Sequence, residues 1–309
     1  MKCVITGGAG FIGSTLCDEL ITQGHEVVVI DNLSNGLERN VNPEALFIKQ
    51  DITALDTTCM NHMRRADVLF HMAARARVQP SLIDPGPYWH DNVVGTGAVL
   101  DAARTLDIRR VVLSSSSSVY GDTTTFPTPE TAPLEPQSPY ATSKLLMEQQ
   151  ASCYSRCYGM DTICLRYFNV YGERQPLHGA YKLVMSTFLS QHKSGQRMTI
   201  RGDGTQRRDF TYVGDVVRAN CLAWQSDHQF RGDCVNIGAS DNMSVMQLAS
   251  LIGGEYEFVD AVDEPKCTLA DNTKARELLG WRPTIRLADW LPMYQEHHDW
   301  RFHVDSDTG

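Results

Sequence analysis

Short apolar segments alternate with amphipathic segments through the first half of the chain. The apolar segments are rich in valine and isoleucine, which is typical of strands buried on both faces of a sheet. The segments between them carry the apolar spacing of a helix, as in Ser14 to Gln23. This alternation predicts an α/β fold with a doubly wound parallel sheet and right-handed connections. The strands we predict are Cys3 to Thr6, Glu26 to Asp31, Ala45 to Lys49, Val68 to His71, Arg110 to Leu113 and Thr162 to Arg166.

The second half of the chain has a different pattern. From Asn169 onward, prolines and glycines separate helical segments such as Ala180 to Ser194 and Ser244 to Leu251. The change predicts a smaller C-terminal α/β lobe that follows the parallel sheet.

A glycine-rich turn follows the first predicted strand. Gly8, Gly10 and Gly13 satisfy the spacing G-x-G-x-x-G between that strand and the helix at Ser14 to Gln23. Such a turn lets backbone N–H groups approach a pyrophosphate at the positive end of the helix. The second strand ends in Asp31, at the distance where a carboxylate accepts hydrogen bonds from an adenosine ribose. The combination predicts a Rossmann-like dinucleotide site; the alternative is a glycine turn in some other α/β protein.

Tyr140 and Lys144 are four residues apart and would share one face of a helix. A tyrosine, with a pKa of roughly 10, acts as a base near neutral pH only when positive charge stabilises its ionised form. Lys144 can supply that charge, although an exposed lysine beside a half-buried tyrosine is a common alternative. The serine run 114–118 follows the strand Arg110 to Leu113, where open α/β sheets place ligands. Together these motifs predict acid/base chemistry on a hydroxyl group.

With these motifs, the chain resembles the extended short-chain dehydrogenase/reductases almost from end to end. Within them it resembles the NAD-dependent nucleotide-sugar epimerase/dehydratase branch, most of all UDP-glucose and UDP-N-acetylglucosamine 4-epimerases. The segments that carry the resemblance are Gly7-x-x-Gly10-x-x-Gly13, 31–36, 51–52, 71–74, 92–96, Tyr140-x-x-x-Lys144, 166–172, 202–210 and 269–281.

The resemblance implies that the cofactor is a nicotinamide dinucleotide. NAD is expected rather than NADP, because Asp31 would repel a 2′-phosphate and no arginine follows it closely. The implied cofactor contacts are Gly7, Gly10, Phe11, Ile12, Asp31, Asn32, Ser34, Asn35, Gly36, Asp51, Ile52, Met72, Ala73, Ala74, Asn92, Ser114, Tyr140, Lys144, Tyr167 and Asn169.

The resemblance also implies catalytic roles for Ser116, Tyr140 and Lys144. Tyr140, as phenolate, would take the proton of a sugar 4-hydroxyl while the C4 hydride passes to NAD. Lys144 would lower the pKa of Tyr140 and hold the nicotinamide ribose, and Ser116 would hydrogen-bond the same sugar oxygen. The 4-keto sugar would then turn and take the hydride back on its other face.

The two residues after Ser116 distinguish related enzymes. Dehydratases of this branch carry Asp-Glu there and UDP-glucuronate decarboxylases carry Glu at the second position, whereas this chain has Ser117 and Ser118. Without those acids, 4-epimerisation of a UDP-sugar is the implied reaction. The alternatives are a UDP-glucuronate 4-epimerase, a 4-keto reductase or epimerase of another nucleotide sugar, and a cofactor-sensing regulator without catalysis.

The resemblance implies substrate contacts at Ser116, Asn169, Val184, Arg201, Arg208, Lys266 and Thr268. A salt bridge with Asp209 or another neighbour is the alternative role for Arg208. Relatives often carry a second arginine where this chain has Ala261. Either Lys266 takes over its role, or affinity for the pyrophosphate is lower. The position of Thr268 is bulky in enzymes restricted to UDP-glucose and UDP-galactose. A threonine there predicts room for an N-acetylated sugar, unless the residue serves packing alone.

Composition and charge narrow the range of partners. The 309 residues carry a net charge of −9, which argues against nucleic acid and acidic membranes. No apolar run is long enough to cross a membrane and no signal peptide precedes the first strand, so we expect a cytoplasmic enzyme. The nine cysteines lack a metal-binding spacing. They are expected to be buried free thiols, and no metal site is predicted.

The resemblance further implies how the chain is divided and assembled. We expect residues 1–168, with 211–238 returning to them, to form the NAD-binding lobe. Residues 169–210 and 239–309 would form the nucleotide-sugar-binding lobe. A homodimer is expected, in which helices around Tyr88 to Leu106 and Ser138 to Tyr158 make an isologous contact.

Overall fold

The computed structural model describes residues 1–176, 184–262 and 264–297. Its strands are β1 Lys2–Thr6, β2 Glu26–Asp31, β3 Leu46–Lys49, β4 Val68–His71, β5 Arg110–Ser116, β6 Asp161–Tyr167, β7 Val170–Tyr171, β8 Met198–Arg201, β9 Arg207–Asp209, β10 Thr211–Tyr212, β11 Asp233–Ile237, β12 Asn242–Ser244 and β13 Tyr256–Val259. Its helices are α1 Phe11–Thr22, α2 Thr57–Met63, α3 Val78–Ile83, α4 Gly86–Tyr88, α5 Gly95–Thr105, α6 Pro139–Tyr158, α7 Val184–Lys193, α8 Val213–Gln225, α9 Val245–Ile252, α10 Thr273–Leu279 and α11 Leu287–His297. A π-helical turn, Trp89–Val94, joins α4 to α5.

Seven parallel strands form the central sheet, in the order β11-β6-β5-β4-β1-β2-β3. Strands β1, β4 and β5 are buried along nearly their whole length, which explains the unbroken apolar runs in the sequence. The strand order reverses between β1 and β4, and open α/β sheets bind ligands at such a switch point. The predicted Rossmann-like doubly wound parallel sheet is confirmed.

The predicted strands are all present, and two features of the sheet differ from the prediction. Strand β5 continues to Ser116 because the first three serines of the run keep pairing with β6. Strand β11 was not among the predicted strands, and it pairs with the edge of β6. The predicted helix Ala180 to Ser194 is observed as α7, and its residues 180–183 lie outside the described residues.

Two apolar clusters cover the faces of the sheet. Ile5 and Val29 belong to one cluster, and Val4 and Val28 belong to the other. Because successive side chains of a strand point to opposite faces, the two clusters lie on opposite sides of the sheet.

A third apolar cluster lies in the second half of the chain, where α7, α9 and α11 pack around Tyr171 and Trp290. Residues 211–238 supply α8, which packs on α1, and β11 of the central sheet. The division of the chain into two lobes stays a prediction.

Two observations bear on the remaining expectations. Cys153 and Cys157 on α6 are exposed, and Cys234 and Cys267 are only partly buried, so the expectation of buried thiols is wrong for these four residues. Among the helices of the described ranges, none is both long and apolar enough to cross a membrane.

Candidate active site

A cavity of about 980 Å³ opens at the carboxyl ends of the parallel strands. Its wall includes Gly7 after β1, Asp31 at the end of β2, Met72 after β4, Ser116 at the end of β5 and Tyr167 at the end of β6. Ligand pockets commonly measure roughly 300 to 1,000 Å³. The volume of this cavity therefore lies at the upper end of that range.

Most residues predicted to contact cofactor or substrate line this cavity. They are Gly7, Gly10, Phe11, Ile12, Asp31, Asn32, Ser34, Asn35, Gly36, Asp51, Ile52, Met72, Ala73, Ala74, Ser114, Ser116, Tyr140, Lys144, Tyr167, Asn169, Val184, Arg208 and Thr268. Within the described structure, Asn92, Arg201 and Lys266 do not line it.

Asn92 lies buried behind the cavity wall, where its amide donates to the Arg75 carbonyl at 2.9 Å and to Ser143 Oγ at 2.8 Å. Arg201 and Lys266 are exposed. The individual roles of all these residues stay predictions.

The glycine turn has no room for side chains. A Cβ atom on Gly7, whose φ is +73°, would lie 2.5 Å from the Ala73 nitrogen, and one on Gly13 would lie 2.2 Å from the Gly7 oxygen. Helix α1 begins after Gly10 without a side-chain cap, and its first residues line the cavity. Its first N–H groups are thus placed to bind a pyrophosphate.

Acidic side chains lie where the adenosine half of NAD would bind. Asp31 Oδ2 accepts from the Ala9 nitrogen at 3.0 Å, and its Oδ1 accepts from the Leu33 nitrogen at 2.8 Å. Backbone bonds therefore fix this carboxylate and leave lone pairs for a ribose diol. Asn32 donates to Asp51 Oδ2 at 2.8 Å and holds that carboxylate next to the first. The residues present fit NAD.

The strand β5 and the helix α6 bring Ser116, Tyr140 and Lys144 to one wall of the cavity. Helix α6 starts where it does because Ser138 caps it by accepting from the Ala141 nitrogen, with Pro139 at the first helical position. Tyr140 then falls in the first turn of α6 and Lys144 in the next. Helix start signals readable in the sequence thus fix the placement of Tyr140.

Ser118 orients the hydroxyl of Ser116. The Ser118 nitrogen donates to Ser116 Oγ at 3.2 Å, and the Ser118 hydroxyl donates to the same oxygen at 2.9 Å. Since two donors already reach Ser116 Oγ, its own hydrogen is left to donate to Tyr140, with which it forms a hydrogen bond. The serine at 118, where related enzymes carry an acid, thus supports the Ser116 hydroxyl.

Burial and nearby charge act in opposite directions on the tyrosine. Burial raises the pKa of Tyr140, while the hydrogen bond with Ser116 and the positive charge of Arg77 lower it. Burial lowers the pKa of Lys144 to about 8, and its Nζ donates to the Ser114 carbonyl at 2.7 Å. Sequence reasoning missed Arg77, because its approach to Tyr140 depends on the path of the chain after β4.

The far end of the cavity is built around a salt bridge. Arg208 Nη2 lies 2.8 Å from Glu264 Oε2, and both residues line the cavity. The salt bridge considered as the alternative role of Arg208 is therefore present, with Glu264 rather than Asp209 as its partner.

Thr268 is held in the cavity wall by its hydroxyl group. Thr268 Oγ1 accepts from Asn169 Nδ2 at 3.1 Å and from the Asp209 nitrogen at 3.0 Å. The second hydrogen of the Asn169 amide donates to the Asp209 carbonyl at 3.0 Å. What Thr268 contributes to the cavity is therefore its small volume.

Comparison with known proteins identifies the family. The model of the NAD dependent epimerase/dehydratase family matches residues 3–238. A UDP-glucose 4-epimerase of Mycolicibacterium smegmatis is 38% identical over 307 residues, which cover 94% of this chain and 96% of that protein.

Two solved structures share the whole fold. A UDP-glucose 4-epimerase of Thermotoga maritima with UDP-glucose has a TM-score of 0.90 at 36% identity, covering 96% of this chain and 98% of that one. A UDP-N-acetylglucosamine 4-epimerase of Methanobrevibacter ruminantium M1, in complex with UDP-N-acetylmuramic acid, has a TM-score of 0.86 at 33% identity, covering 92% and 93%. The chain therefore belongs to the NAD-dependent epimerase/dehydratase family, among its UDP-sugar 4-epimerases, and its cofactor is NAD.

Proposed function

We propose that the protein interconverts UDP-sugars that differ at C4, with Tyr140 as the base and a transient 4-keto sugar between the two epimers. The substrates are UDP-N-acetylglucosamine and UDP-N-acetylgalactosamine, UDP-glucose and UDP-galactose, or both pairs. The observation that carries the proposal is the meeting of Ser116, Tyr140 and Lys144 at one cavity wall, with serines at 117 and 118.

Each residue of the site has its own role in the proposed reaction. NAD, when bound, accepts the hydride from C4 of the sugar and returns it. Tyr140 takes the proton of the 4-hydroxyl and gives it back. With substrate bound, the single hydrogen of the Ser116 hydroxyl would turn from Tyr140 to the same sugar oxygen, because the Ser118 nitrogen and hydroxyl keep the lone pairs of Ser116 engaged. Lys144, beside the Ser114 carbonyl, holds the nicotinamide ribose.

The serines at 117 and 118 favour epimerisation over elimination. Loss of a 6-hydroxyl group from a 4-keto sugar needs an acid close to the leaving oxygen. A serine hydroxyl does not supply a proton readily near neutral pH, and that of Ser118 already donates to Ser116. The 4-keto sugar is therefore expected to take the hydride back at C4 rather than lose its 6-hydroxyl group.

The other end of the cavity holds the nucleotide. Arg208 can bind two oxygens of the diphosphate at once, as guanidinium groups do. Asn169 and Val184 line the same region, and the small side chain of Thr268 leaves space for an acetamido group. Arg201 and Lys266 are assigned to the diphosphate on the resemblance alone.

Incubation with a panel of nucleotide sugars, followed by product chromatography, tests the proposal. The panel comprises UDP-glucose, UDP-N-acetylglucosamine, UDP-glucuronate and a UDP-4-keto-hexose as a candidate hydride acceptor, each with and without added NADH. We expect C4 epimers of the first, the second or both, with no net use of NADH. Three outcomes would contradict the proposal. Epimerisation of UDP-glucuronate alone would indicate a UDP-glucuronate 4-epimerase, and stoichiometric use of NADH would indicate a 4-keto reductase. No product at all would favour a cofactor-sensing regulator without catalysis.

The assembly we infer is a homodimer. Trp89 and Val94 in the π-helical turn and Leu146 on α6 are apolar and 38%, 55% and 39% exposed. The π-helical turn packs beside α6, so these side chains fall on neighbouring helices. Burial of such a face in an isologous contact would remove it from water. Light scattering at micromolar concentration should report twice the chain mass, and a monomer would contradict the assembly.

A further inference from the structure

Arg77 occupies an unusual backbone conformation in the cavity wall. Its φ is +98° and its ψ is 133°, a region that glycine adopts freely and that other residues rarely adopt. Arg77 also lines the cavity. A strained residue other than glycine at a ligand site suggests that its side chain has a function there.

The backbone before Arg77 is fixed from several sides. The Arg75 nitrogen donates to Asn92 Oδ1 at 2.7 Å, and Asn92 Nδ2 donates to the Arg75 carbonyl at 2.9 Å. The Tyr88 hydroxyl donates to the Ala76 carbonyl at 3.1 Å. Arg77 therefore follows a segment that has little freedom to move.

The backbone after Arg77 is tied directly to the base. Helix α3 begins at Val78, and Ser81 in that helix accepts from the Tyr140 nitrogen at 3.2 Å. The Ser81 hydroxyl in turn donates to the Val78 carbonyl at 2.6 Å. The ring of Tyr88 packs edge-on against that of Tyr140, with centroids 6.3 Å apart. Both flanks of Arg77 are thus attached to the start of α6.

The charge of Arg77 acts on Tyr140. Burial raises the pKa of Tyr140, and the Arg77 guanidinium opposes that effect. Burial lowers the pKa of Arg77. The two tyrosines, Tyr140 and Tyr88, oppose that effect and raise the pKa of Arg77.

The other charged groups around Tyr140 come from its own helix and from the neighbouring turn. Lys144 lies one turn further along α6. Arg75 and Asp91 form an ion pair, with Nε and Oδ2 2.6 Å apart, so their charges largely cancel. Among these charged groups, Arg77 is the one whose positive charge lowers the pKa of Tyr140.

We propose that Arg77 is a positioning residue whose guanidinium holds Tyr140 in its phenolate form. The strain of the Arg77 backbone is tolerated because it places this charge at the base. The inference rests on the proposed role of Tyr140.

The test compares the NAD-bound protein with its Arg77→Gly and Arg77→Lys variants. The pH dependence of kcat/KM is measured for each, together with the melting temperature. For Arg77→Gly we expect the acid-side midpoint to rise by about one pH unit, which is about a tenfold loss below the midpoint and recovery at high pH. Its melting temperature should not fall, because glycine adopts this φ freely. Arg77→Lys should keep the wild-type midpoint within a few tenths of a unit.

The double variant Arg75→Gln/Asp91→Asn is the matched control, since it removes a nearby arginine together with the carboxylate that pairs with it and leaves the net charge unchanged, so its midpoint should stay in place. A second readout is the near-ultraviolet absorbance of tyrosinate, titrated in each protein and in its Tyr140→Phe counterpart. The difference should titrate at higher pH in Arg77→Gly.

An unchanged midpoint in Arg77→Gly, or an equal loss of activity at every pH, would overturn the inference and leave Arg77 a structural or substrate-contact residue. Tyr140→Phe distinguishes failure of the proposed role of Tyr140 from failure of the inference about Arg77. If it retains activity, the proposed base is wrong; if it is inactive while Arg77→Gly keeps its midpoint, the inference about Arg77 alone fails.

Discussion

The two ends of the cavity differ in the kind of group that lines them. At the cofactor end, binding groups are backbone atoms or side chains fixed by backbone atoms, as in the glycine turn, the start of α1 and Asp31. At the proposed substrate end, the wall consists of side chains from separate segments, such as Arg208, Glu264 and Thr268. A substitution at the cofactor end would clash with backbone atoms, whereas a substitution at the substrate end replaces one side chain among several. The cofactor end should therefore tolerate little change, and the substrate end should be adjustable residue by residue.

The largest effect is expected between the two ends, at Tyr140. Tyr140→Phe removes the group proposed to transfer the proton and should lower kcat by about 10² to 10⁴, because general base catalysis is commonly worth that much. Tyr158→Phe is the matched control, as Tyr158 is 57% exposed at the end of the same helix. Initial rates and circular dichroism of both variants check this. A loss below tenfold in a folded Tyr140→Phe protein would mean that another group is the base.

At the cofactor end, Gly13→Ala should weaken NAD binding. Its new Cβ would lie 2.2 Å from the Gly7 oxygen, which belongs to backbone and cannot swing aside. Overpacking of this kind costs about 1 to 3 kcal/mol, or about 5- to 150-fold in affinity. Gly86→Ala is the control, since its Cβ would meet Asp84 Oδ1 at 3.7 Å. The NAD released on denaturing each purified protein reports the effect, and full NAD content in Gly13→Ala would contradict the rigid character of this end.

At the substrate end, Thr268→Tyr should change specificity more than activity. The larger ring would fill the space proposed for an acetamido group and lower the rate on UDP-N-acetylgalactosamine relative to UDP-galactose by about tenfold, since overfilling costs about 1 to 3 kcal/mol. Thr268→Val separates volume from hydrogen bonding, because it loses the acceptor for Asn169 and Asp209 but keeps the size. The valine variant should keep the wild-type ratio of rates. If the tyrosine variant keeps it too, Thr268 does not select the substrate.

The smallest effect is expected at Glu264. Its carboxylate lies on Arg208, where the diphosphate is proposed to bind, so Glu264→Gln should free the guanidinium. Partly exposed ion pairs are worth about 0.2 to 1 kcal/mol, so KM for the UDP-sugar should fall by about 1.5- to 5-fold with kcat unchanged. Glu255→Gln is the control, because it breaks an exposed ion pair with Arg197, and it should leave KM and kcat unchanged. A rise in KM for Glu264→Gln would show that the carboxylate helps substrate binding.

The cofactor end is also the part that the sequence predicts best. Its motif is local: a strand, a glycine turn and a helix lie within a few residues, and each has a physical signature in the chain. The start of α6, set by Ser138 and Pro139, is local as well and places Tyr140 and Lys144 correctly on one wall.

The substrate end depends on contacts between distant residues. Arg208 and Glu264 are far apart in sequence, and nothing near either residue indicates that they pair. The exposed position of Lys266 likewise follows from the path of the loop after β13.

The role inferred for Arg77 depends on a backbone angle of +98° that no residue pattern predicts. Strand β11 has only five residues, two of them polar, and joins the sheet at its edge, so its sequence pattern is weak.

The central claim is that the hydride leaves C4 and returns to C4 of the same sugar. The most direct test uses a UDP-sugar labelled with deuterium at C4, incubated with the NAD-bound protein in ordinary water and followed by mass spectrometry and NMR of the separated epimers. We expect the C4 epimer to form and to keep the deuterium at C4. An epimer that carries solvent hydrogen at C4, or a 4-keto sugar that accumulates in place of an epimer, would contradict it.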